Sequence, residues 1–396
     1  MADTGGRRRI GRTVVVLGVV SLLTDISSEG IYPLIPLFLT NVLHAQVAAV
    51  GLIEGVAEST ASILRIFSGW ISDRFGDRKW ITVIGYGISS ISKPLFAVSQ
   101  SWPQVFGVRF ADRVGKGIRS APRDALIADV TPPESRGLAF GFHRAMDTAG
   151  AVTGPLLAFW LLKSLNLGFR PIFWLSAIPA ILGVLILIAL VREPKIEKKH
   201  EAPPSIRFSS FDRQFKMFLL VTTLFSLGNS SDAFLILRAR NMGISTENIL
   251  LIYVLFNSVA ALLSTHAGDL SDKLGRRNVV LAGYLVFAGV YIGFGMVRNP
   301  AAVWGLFAVY GAYAAMTAGV QKAFAADLVC AGVRGTGMGA YQTLTGIALL
   351  PASLIAGYLW DAVNPSAPFY YGAGMALISA FLLAVLFRGR ITCIDT

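Results

Sequence analysis

Two carboxylates one helical turn apart, Asp25 and Glu29, sit inside the first long apolar run, "LLTDISSEGIYPL" at 22–34. Ionisable groups in a membrane span are costly, face a cavity or a partner, and mark ion or substrate paths. Burial in a low-dielectric interior favours the neutral form of a carboxyl group in general. One reading makes Asp25 or Glu29 a proton carrier, with Glu29 preferred because the helix-loosening "GIYP" follows it. The other makes both permanent counter-ions. A matching set of charges lies at 109–124, "RFADRVGKGIRSAPRD". At 100° per residue, Arg109, Asp112, Arg113, Lys116, Arg119, Arg123 and Asp124 fall within an arc of about 140°. Such a stripe must line a cavity or meet partners on neighbouring helices.

Further charges lie on nearby runs. Glu54, Glu58 and Arg65 fall within about 40° of one another on a helix, as do Asp25 and Glu29. His143, Arg144 and Asp147 follow, and Lys93 precedes Pro94. These predict an ionic network in the first half of the chain, with the acids of the first two runs facing the basic stripe of the fourth. Asp25, Glu29, Glu54, Glu58, Arg109 and Arg113 are the proton-coupling candidates. The second half is less charged. Asp232 and Arg238 flank an apolar stretch beside Asn229, Ser230 and Ser231, and Tyr310, Tyr313, Thr317 and Gln321 share one helical face. Lys116, Arg123, Asp147, Asp232, Tyr310, Tyr313, Gln321 and Tyr341 are the substrate-cavity candidates; interhelical hydrogen bonding is the alternative role for the tyrosines and Gln321. His143 and His266 are lone histidines. "RVGKGIRSAP" lacks the first glycine of a phosphate-binding loop. There is no nucleophile constellation or metal-ligand cluster, so the chain reads as a non-enzyme without cofactor.

The elements that position these residues are membrane helices. Of 396 residues, 54% are hydrophobic and only 15% charged, against about 25% charged in soluble domains; the mean hydropathy is +0.61. Apolar runs of about 20 residues recur, each able to cross a bilayer core of roughly 30 Å. They are continuous rather than alternating, which selects helices over a barrel. Cys330 and Cys393 lie far apart and suggest neither a disulfide framework nor a metal site. The basic N-terminus "GGRRRIGR" leads into a long run with no small-residue cleavage site, so it reads as the first span.

Twelve spans are predicted: 14–40, 47–70, 80–99, 102–130, 138–162, 170–191, 214–240, 248–269, 279–297, 300–328, 338–360 and 368–388. Loops alternate in charge. "DRFGDRK", "PPESRG", "DKLGRR", "AGVRG" and the tail "FRGR" are basic, whereas "NVLHAQ", "SQSW", "NMGISTEN" and "NPSAP" carry few charges. The positive-inside rule places both termini in the cytoplasm, as for a multi-pass inner-membrane protein. Topology thus accounts for most of the net charge of +12, and no nucleic-acid partner is needed. The polar stretch 192–213, with Pro194, Pro203 and Pro204, suits a linker between bundles at 1–191 and 214–396.

The halves resemble each other. "GWISDRFGDRK" from Gly69 matches "GDLSDKLGRRN" from Gly268 at an offset of 199, pairing Asp73 with Asp272, Arg74 with Lys273, Gly76 with Gly275 and Arg78 with Arg277. "ALIADVTPPESRGLAFG" matches "AFAADLVCAGVRGTGMG" at an offset of 198, pairing Asp129 with Asp327, Arg136 with Arg334 and Gly137 with Gly335. Two matches at nearly one offset indicate a duplicated six-helix unit.

Over essentially its whole length the chain resembles the major facilitator superfamily. "GWISDRFGDRK" fits that family's G-x-x-x-D-[RK]-x-G-x-[RK]-[RK] loop well, and "GDLSDKLGRRN" less fully. The resemblance implies an all-α membrane fold of twelve helices in two pseudo-symmetric six-helix bundles, working as a monomer by alternating access. It implies that the signature latches the cytoplasmic face. Asp73 would meet the N-terminus of span eleven near Thr336–Met338, and Arg78 would reach Asp129. Gly150, Gly154 and Pro155 in "GAVTGPLLA" match the core of a motif of the antiporter branches, although Leu156 and Leu157 replace its trailing glycines; close helix packing is the alternative. Counting back from Asp129, Arg109 sits where related antiporters keep a buried arginine, whereas the spacing in "RVGKG" favours Arg113. The leading expectation is proton-coupled efflux of a small solute. The alternatives are proton-symport uptake of a small organic anion, attracted by the basic stripe, and export of a divalent metal such as nickel or cobalt. For the last, "SSEGIYPL" and "NSSDAFLILRA" look similar to nickel-resistance-type permeases, although a histidine-rich tail is missing.

Overall fold

Helices account for nearly all of the described residues. The computed structural model describes residues 10–192, 211–329 and 334–387. The residues before Ile10, most of the linker (193–210), Cys330, Cys393 and the tail after Phe387 lie outside them. The helices are α1 (Arg12–Ile31), α2 (Leu34–Asn41), α3 (Val47–Phe75), α4 (Arg78–Val98), α5 (Trp102–Asp129), α6 (Arg136–Ser164) and α7 (Phe169–Leu190) in the first half. The second half contains α8 (Arg213–Gly228), α9 (Ala233–Asn241), α10 (Thr246–Leu274), α11 (Arg276–Met296), α12 (Pro300–Ala318), α13 (Val320–Asp327), α14 (Arg334–Ala362) and α15 (Ala367–Leu386). They form twelve spans, because α1 with α2, α8 with α9, and α12 with α13 are each one span broken in the middle. Pro33 lacks the N–H that would continue α1 into α2.

Among the described residues, eleven segments are long and apolar enough to cross a membrane by length and composition. The remaining span is α5, too charged to qualify. It packs between α3 and α4, and Arg109, Asp112, Arg113 and Arg119 are buried there rather than turned to lipid. The twelve helices form the two six-helix bundles of the predicted fold. The largest departures from the predicted limits are at α3 and α10. Both continue five residues further, to Phe75 and Leu274, and stop where Gly76 (φ 68°) and Gly275 (φ 86°) take left-handed backbone angles. That conformation is open to glycine at little steric cost.

Two close approaches position the site. α6 lies directly on α1: a Cβ on Gly150 would stand 2.6 Å from the Asp25 Cβ, and one on Gly154 would stand 2.6 Å from the Ile26 carbonyl oxygen. The antiporter-like glycines therefore seat α6 against the turn that carries Asp25. α3 crosses α14 of the other half, with Gly55 against Leu350 and Gly357 against Ala48. Small residues permit such contacts between spans. The second half is filled by an aromatic core in which Phe225 stacks on Tyr284 and Phe287 on Tyr291, both at 3.9 Å between centroids.

Candidate functional site

The charges of α5 divide into a buried network and a cavity wall. In the network, Arg109 grips Glu54 of α3 with two bonds, Nε to Oε1 at 2.9 Å and Nη2 to Oε2 at 2.8 Å. Arg109 also lies 3.5 Å from Asp112, which receives Lys93 Nζ of α4 at 2.9 Å. Arg113 reaches Glu58 at 3.2 Å. Three cations meet three carboxylates, and Glu54, Lys93 and Arg109 are 1%, 1% and 3% exposed. Planar guanidinium-to-carboxylate pairing of this kind fixes geometry as well as charge. The predicted network is present for the acids of span two. The acids of span one are not part of it, because α1 packs mainly against α6 and α7 while α3 and α4 flank α5.

Asp25 and Glu29 instead line a cavity of about 1160 Å³ between the halves. Its cations are Arg65 of α3, Lys116, Arg119 and Arg123 of α5, Arg144 of α6 and Lys322 of α13; its acids are Asp25, Glu29, Asp124 and Asp147. Six cations thus face four carboxylates. Some are already engaged. Arg119 stacks 4.4 Å over the Tyr86 ring and donates to Ser89. Arg123 pairs with Asp124 at 2.9 Å. Asp147 accepts from Ser21 at 2.5 Å and lies 3.5 Å from His143. Glu29 Oε2 accepts the Tyr253 hydroxyl of α10 at 3.1 Å, which joins the two halves. Among the described residues, Asp25, Lys116, Arg65, Arg144 and Lys322 have no side chain of opposite charge within ion-pair distance.

The cavity is one-sided. Its walls become exposed at Gly141, Arg144, Ser264 and Thr265, toward the end that carries the signature loops. At the far end the halves are joined: Tyr32 and Ser231 hydroxyls lie 3.3 Å apart, and Asp361 of α14 accepts the Ala48 N–H of α3 at 2.7 Å. Midway, Ser59 donates to the Gly346 carbonyl at 2.9 Å.

In the first signature, Arg78 pairs with Asp73 at 2.9 Å and with Asp129 at 2.7 Å, the second as expected. Asp73 makes no bond to Thr336–Met338, since the halves are apart at this end. Arg74 lies over the Trp70 ring at 5.4 Å. Gly69 faces Ala121 of α5, whereas Gly268 has open space around it. The second signature requires a correction. Arg276, not Arg277, takes the place of Arg78, bonding Asp327 at 2.8 Å and approaching Asp272 at 3.8 Å. The first loop contains one extra residue, Asp77, which caps α4 by accepting the Trp80 N–H. The second loop lacks it, so the offset drops from 199 to 198 within the motif. Arg277 then matches Lys79. Lys79 donates to the Ile188 carbonyl near the end of α7, and Arg277 to the Ala384 carbonyl near the end of α15.

Of the predicted cavity residues, Lys116, Arg123 and Asp147 line the main cavity. Asp232, Tyr310, Tyr313 and Gln321 do not. Asp232 accepts the Tyr310 hydroxyl at 2.7 Å, and Asn229 donates to the Tyr313 hydroxyl at 3.2 Å, all beside the aromatic core. Tyr310 and Tyr313 share a buried face of α12 and bond partners within their own bundle, whereas Gln321 lies beyond the break, on α13. Tyr341 lines a smaller side pocket and donates to Gln321 at 3.1 Å. His266 is exposed, with Nδ1 3.2 Å from its own helix carbonyl at Leu262. Tyr253, Asn257 and Asp361 were not legible as site residues, because nothing in their local sequence sets them apart.

A sequence model described as the Major Facilitator Superfamily matches residues 17–349 and 215–392. The chain belongs to the major facilitator superfamily. It is accordingly a multi-pass membrane transporter of the secondary type. An uncharacterised MFS-type transporter of Methanocaldococcus jannaschii is 38% identical over 384 residues, covering 95% of each chain. The cis,cis-muconate transport protein of Acinetobacter baylyi is 26% identical over 313 residues, 73% of each. Multidrug resistance protein 2 of Bacillus subtilis is 24% identical over 392 residues, 91% of each. Among solved structures, a nucleoside transporter, NupG, superposes with a TM-score of 0.80 at 14% identity, covering 95% of this chain and all of that one. That likeness concerns the major facilitator fold alone.

Proposed function

We propose that this transporter carries a small organic anion together with protons, in the same direction. The observation that carries the reading is the cavity with more cations than acids, in which Lys116, Arg65, Arg144 and Lys322 lack carboxylate partners among the described residues. Protonating Asp25 or Glu29 removes negative charge from that space. Proton and anion binding therefore assist each other, and linkage makes the assistance reciprocal. Solute and proton that bind together cross together. With both termini cytoplasmic, as the loop charges suggest, an inward proton gradient would drive uptake. The similarity to a cis,cis-muconate transport protein is in keeping with an organic acid. Glu29 is the preferred proton site, since its bond to Tyr253 ties its charge to the contact between halves.

Proton-coupled efflux is the second reading. It draws on Gly150, Gly154 and Pro155, which seat α6 on the turn bearing Asp25, and on the similarity to a multidrug resistance protein. Its linkage is opposite: a cationic solute competes with the proton for the cavity, which gives antiport. Among the described residues no three His, Cys, Asp or Glu side chains gather at metal-binding distance, so divalent-metal export has no donor set to support it in this conformation.

Proteoliposomes in weakly buffered medium separate the readings. Adding an organic acid outside should raise external pH as protons enter with it, and Glu29→Gln should abolish that change. External acidification on adding an organic cation, with no response to acids, would establish antiport and sink the symport reading.

A further inference from the structure

A second, smaller pocket opens beside the main cavity. It holds about 210 Å³, roughly seven times the 30 Å³ share of one water molecule. Arg65 of α3 and Lys322 of α13 line both spaces, so the pocket is a branch of the cavity built by both halves. Gln342, Tyr341 and Thr345 of α14 complete its second-half wall, and Ser62 lies on the α3 side.

The chemistry of this branch is one-sided. No carboxylate lines it, whereas two cations do. Arg65 Nε is buried and has no hydrogen-bond acceptor, an arrangement that costs the group its desolvation unless an acceptor arrives. The charges acting on Lys322 are chiefly like charges, Arg65 and Arg144, with Asp124 the opposing one; Asp124 is already paired with Arg123. Tyr341 and Thr345 hydroxyls spend their protons on Gln321 and on the Tyr341 carbonyl. Arg65 and Lys322 therefore supply the strong unspent donors, and both are cationic. A guanidinium beside an ammonium, left without an acid, is a receptor for a compact oxyanion.

We propose that Arg65 and Lys322 form a second anion subsite, and that the substrate is a small dicarboxylate whose far carboxylate sits between them. The inference rests on the anion reading above and narrows it to a substrate with two negative ends: one held in the main cavity beside Lys116, the other in the side branch. The far carboxylate contacts both halves at once. It relieves the repulsion between Arg65 and Lys322, and so draws the signature-loop ends together only when substrate is present.

The test uses the full-length protein in proteoliposomes with a series of linear dicarboxylates and their monomethyl esters, measured as half-saturating concentrations for uptake. The wild type should favour the diacid over its monoester by about tenfold or more, the discrimination expected of one charge-assisted contact. Lys322→Gln and Arg65→Gln should each bring the diacid to within about twofold of the monoester, because the half-saturating concentration of the diacid rises about fivefold or more beyond any rise for the monoester; Lys322→Arg should keep the preference. Equal handling of diacid and monoester by the wild type overturns the subsite but leaves anion symport standing. Equal weakening of both ligands in the variants overturns it also. Competition by inorganic phosphate that is lost in Lys322→Gln, without any diacid preference, would assign the subsite to a free anion and refute the dicarboxylate. If neither ligand is transported by folded protein, the anion reading falls with it.

Discussion

The Glu54–Arg109 pair offers a quantitative test of how the first bundle is held together. Glu54→Gln keeps the shape and one acceptor but removes the charge. Arg109, 3% exposed, would then depend on Asp112 at 3.5 Å, an acid already bonded to Lys93 at 2.9 Å. The network would hold three cations against two acids, with Arg109, Lys93 and Asp112 all buried. Breaking a buried pair by removing one partner costs about 3–5 kcal/mol, or roughly two to three and a half decades in the folding equilibrium. Glu54→Leu with Arg109→Met removes both members, leaving Lys93 and Arg113 against Asp112 and Glu58, again balanced. Replacing a buried pair with apolar groups is often neutral or better, so the double variant should recover to within about 1 kcal/mol of wild type. The assay is reversible unfolding in mixed micelles, titrated with sodium dodecyl sulfate and followed by tryptophan fluorescence. A loss under about 1 kcal/mol for Glu54→Gln, or a double variant that loses the sum of the singles, would falsify the balanced-network argument.

Three further expectations follow from the geometry. Gly154→Ala places a Cβ against three backbone atoms of α1 and should cost about 1–3 kcal/mol by overpacking, whereas Gly268→Ala, with open space inside α10, should cost nothing and stabilise by up to about 1 kcal/mol in the same unfolding titration. Arg276→Gln and Asp327→Asn should couple in a double-mutant cycle, by no more than about 1 kcal/mol because the pair is partly exposed; Arg277→Gln with Asp327→Asn should be additive. Asp361→Ala removes the acceptor for Ala48 N–H, which Gln46, the residue before α3, does not replace. A lost helix cap costs about 1 kcal/mol, enough to shift the balance toward far-end opening by about fivefold, read as a longer distance between spin labels on His44 and Val363. An unchanged distance distribution would remove Asp361 from the gate.

The twelve spans were legible, to within about five residues at their ends, because eleven are apolar runs bounded by charges or turn residues, and α5 was legible because its charges repeat on one helical face. The duplicated halves were legible from two motif matches. The assignment of Arg277 failed for a specific reason. A single deleted residue, the counterpart of Asp77, changes the register inside the motif, and sequence matching at one offset cannot see where the chain closes that gap. The aromatic face of Tyr310 and Tyr313 was legible as a face, but not the direction in which it points.

The sequence alone therefore determined that this is a helical membrane protein, which residues share each helical face, and that the first half must bury compensating charges. Those properties are local: they follow from hydropathy, from 3.6-residue periodicity and from the cost of charge in lipid. Tertiary structure decided which acids meet which cations. It sent Glu54 and Glu58 into the ion network, left Asp25 and Glu29 on the cavity wall, and brought Arg65 and Lys322 together from opposite halves. Partner choice depends on which helices pack side by side and at what height, and in this chain that is set by close contacts such as Gly150 on α1 and Gly55 on α14, between residues more than a hundred positions apart.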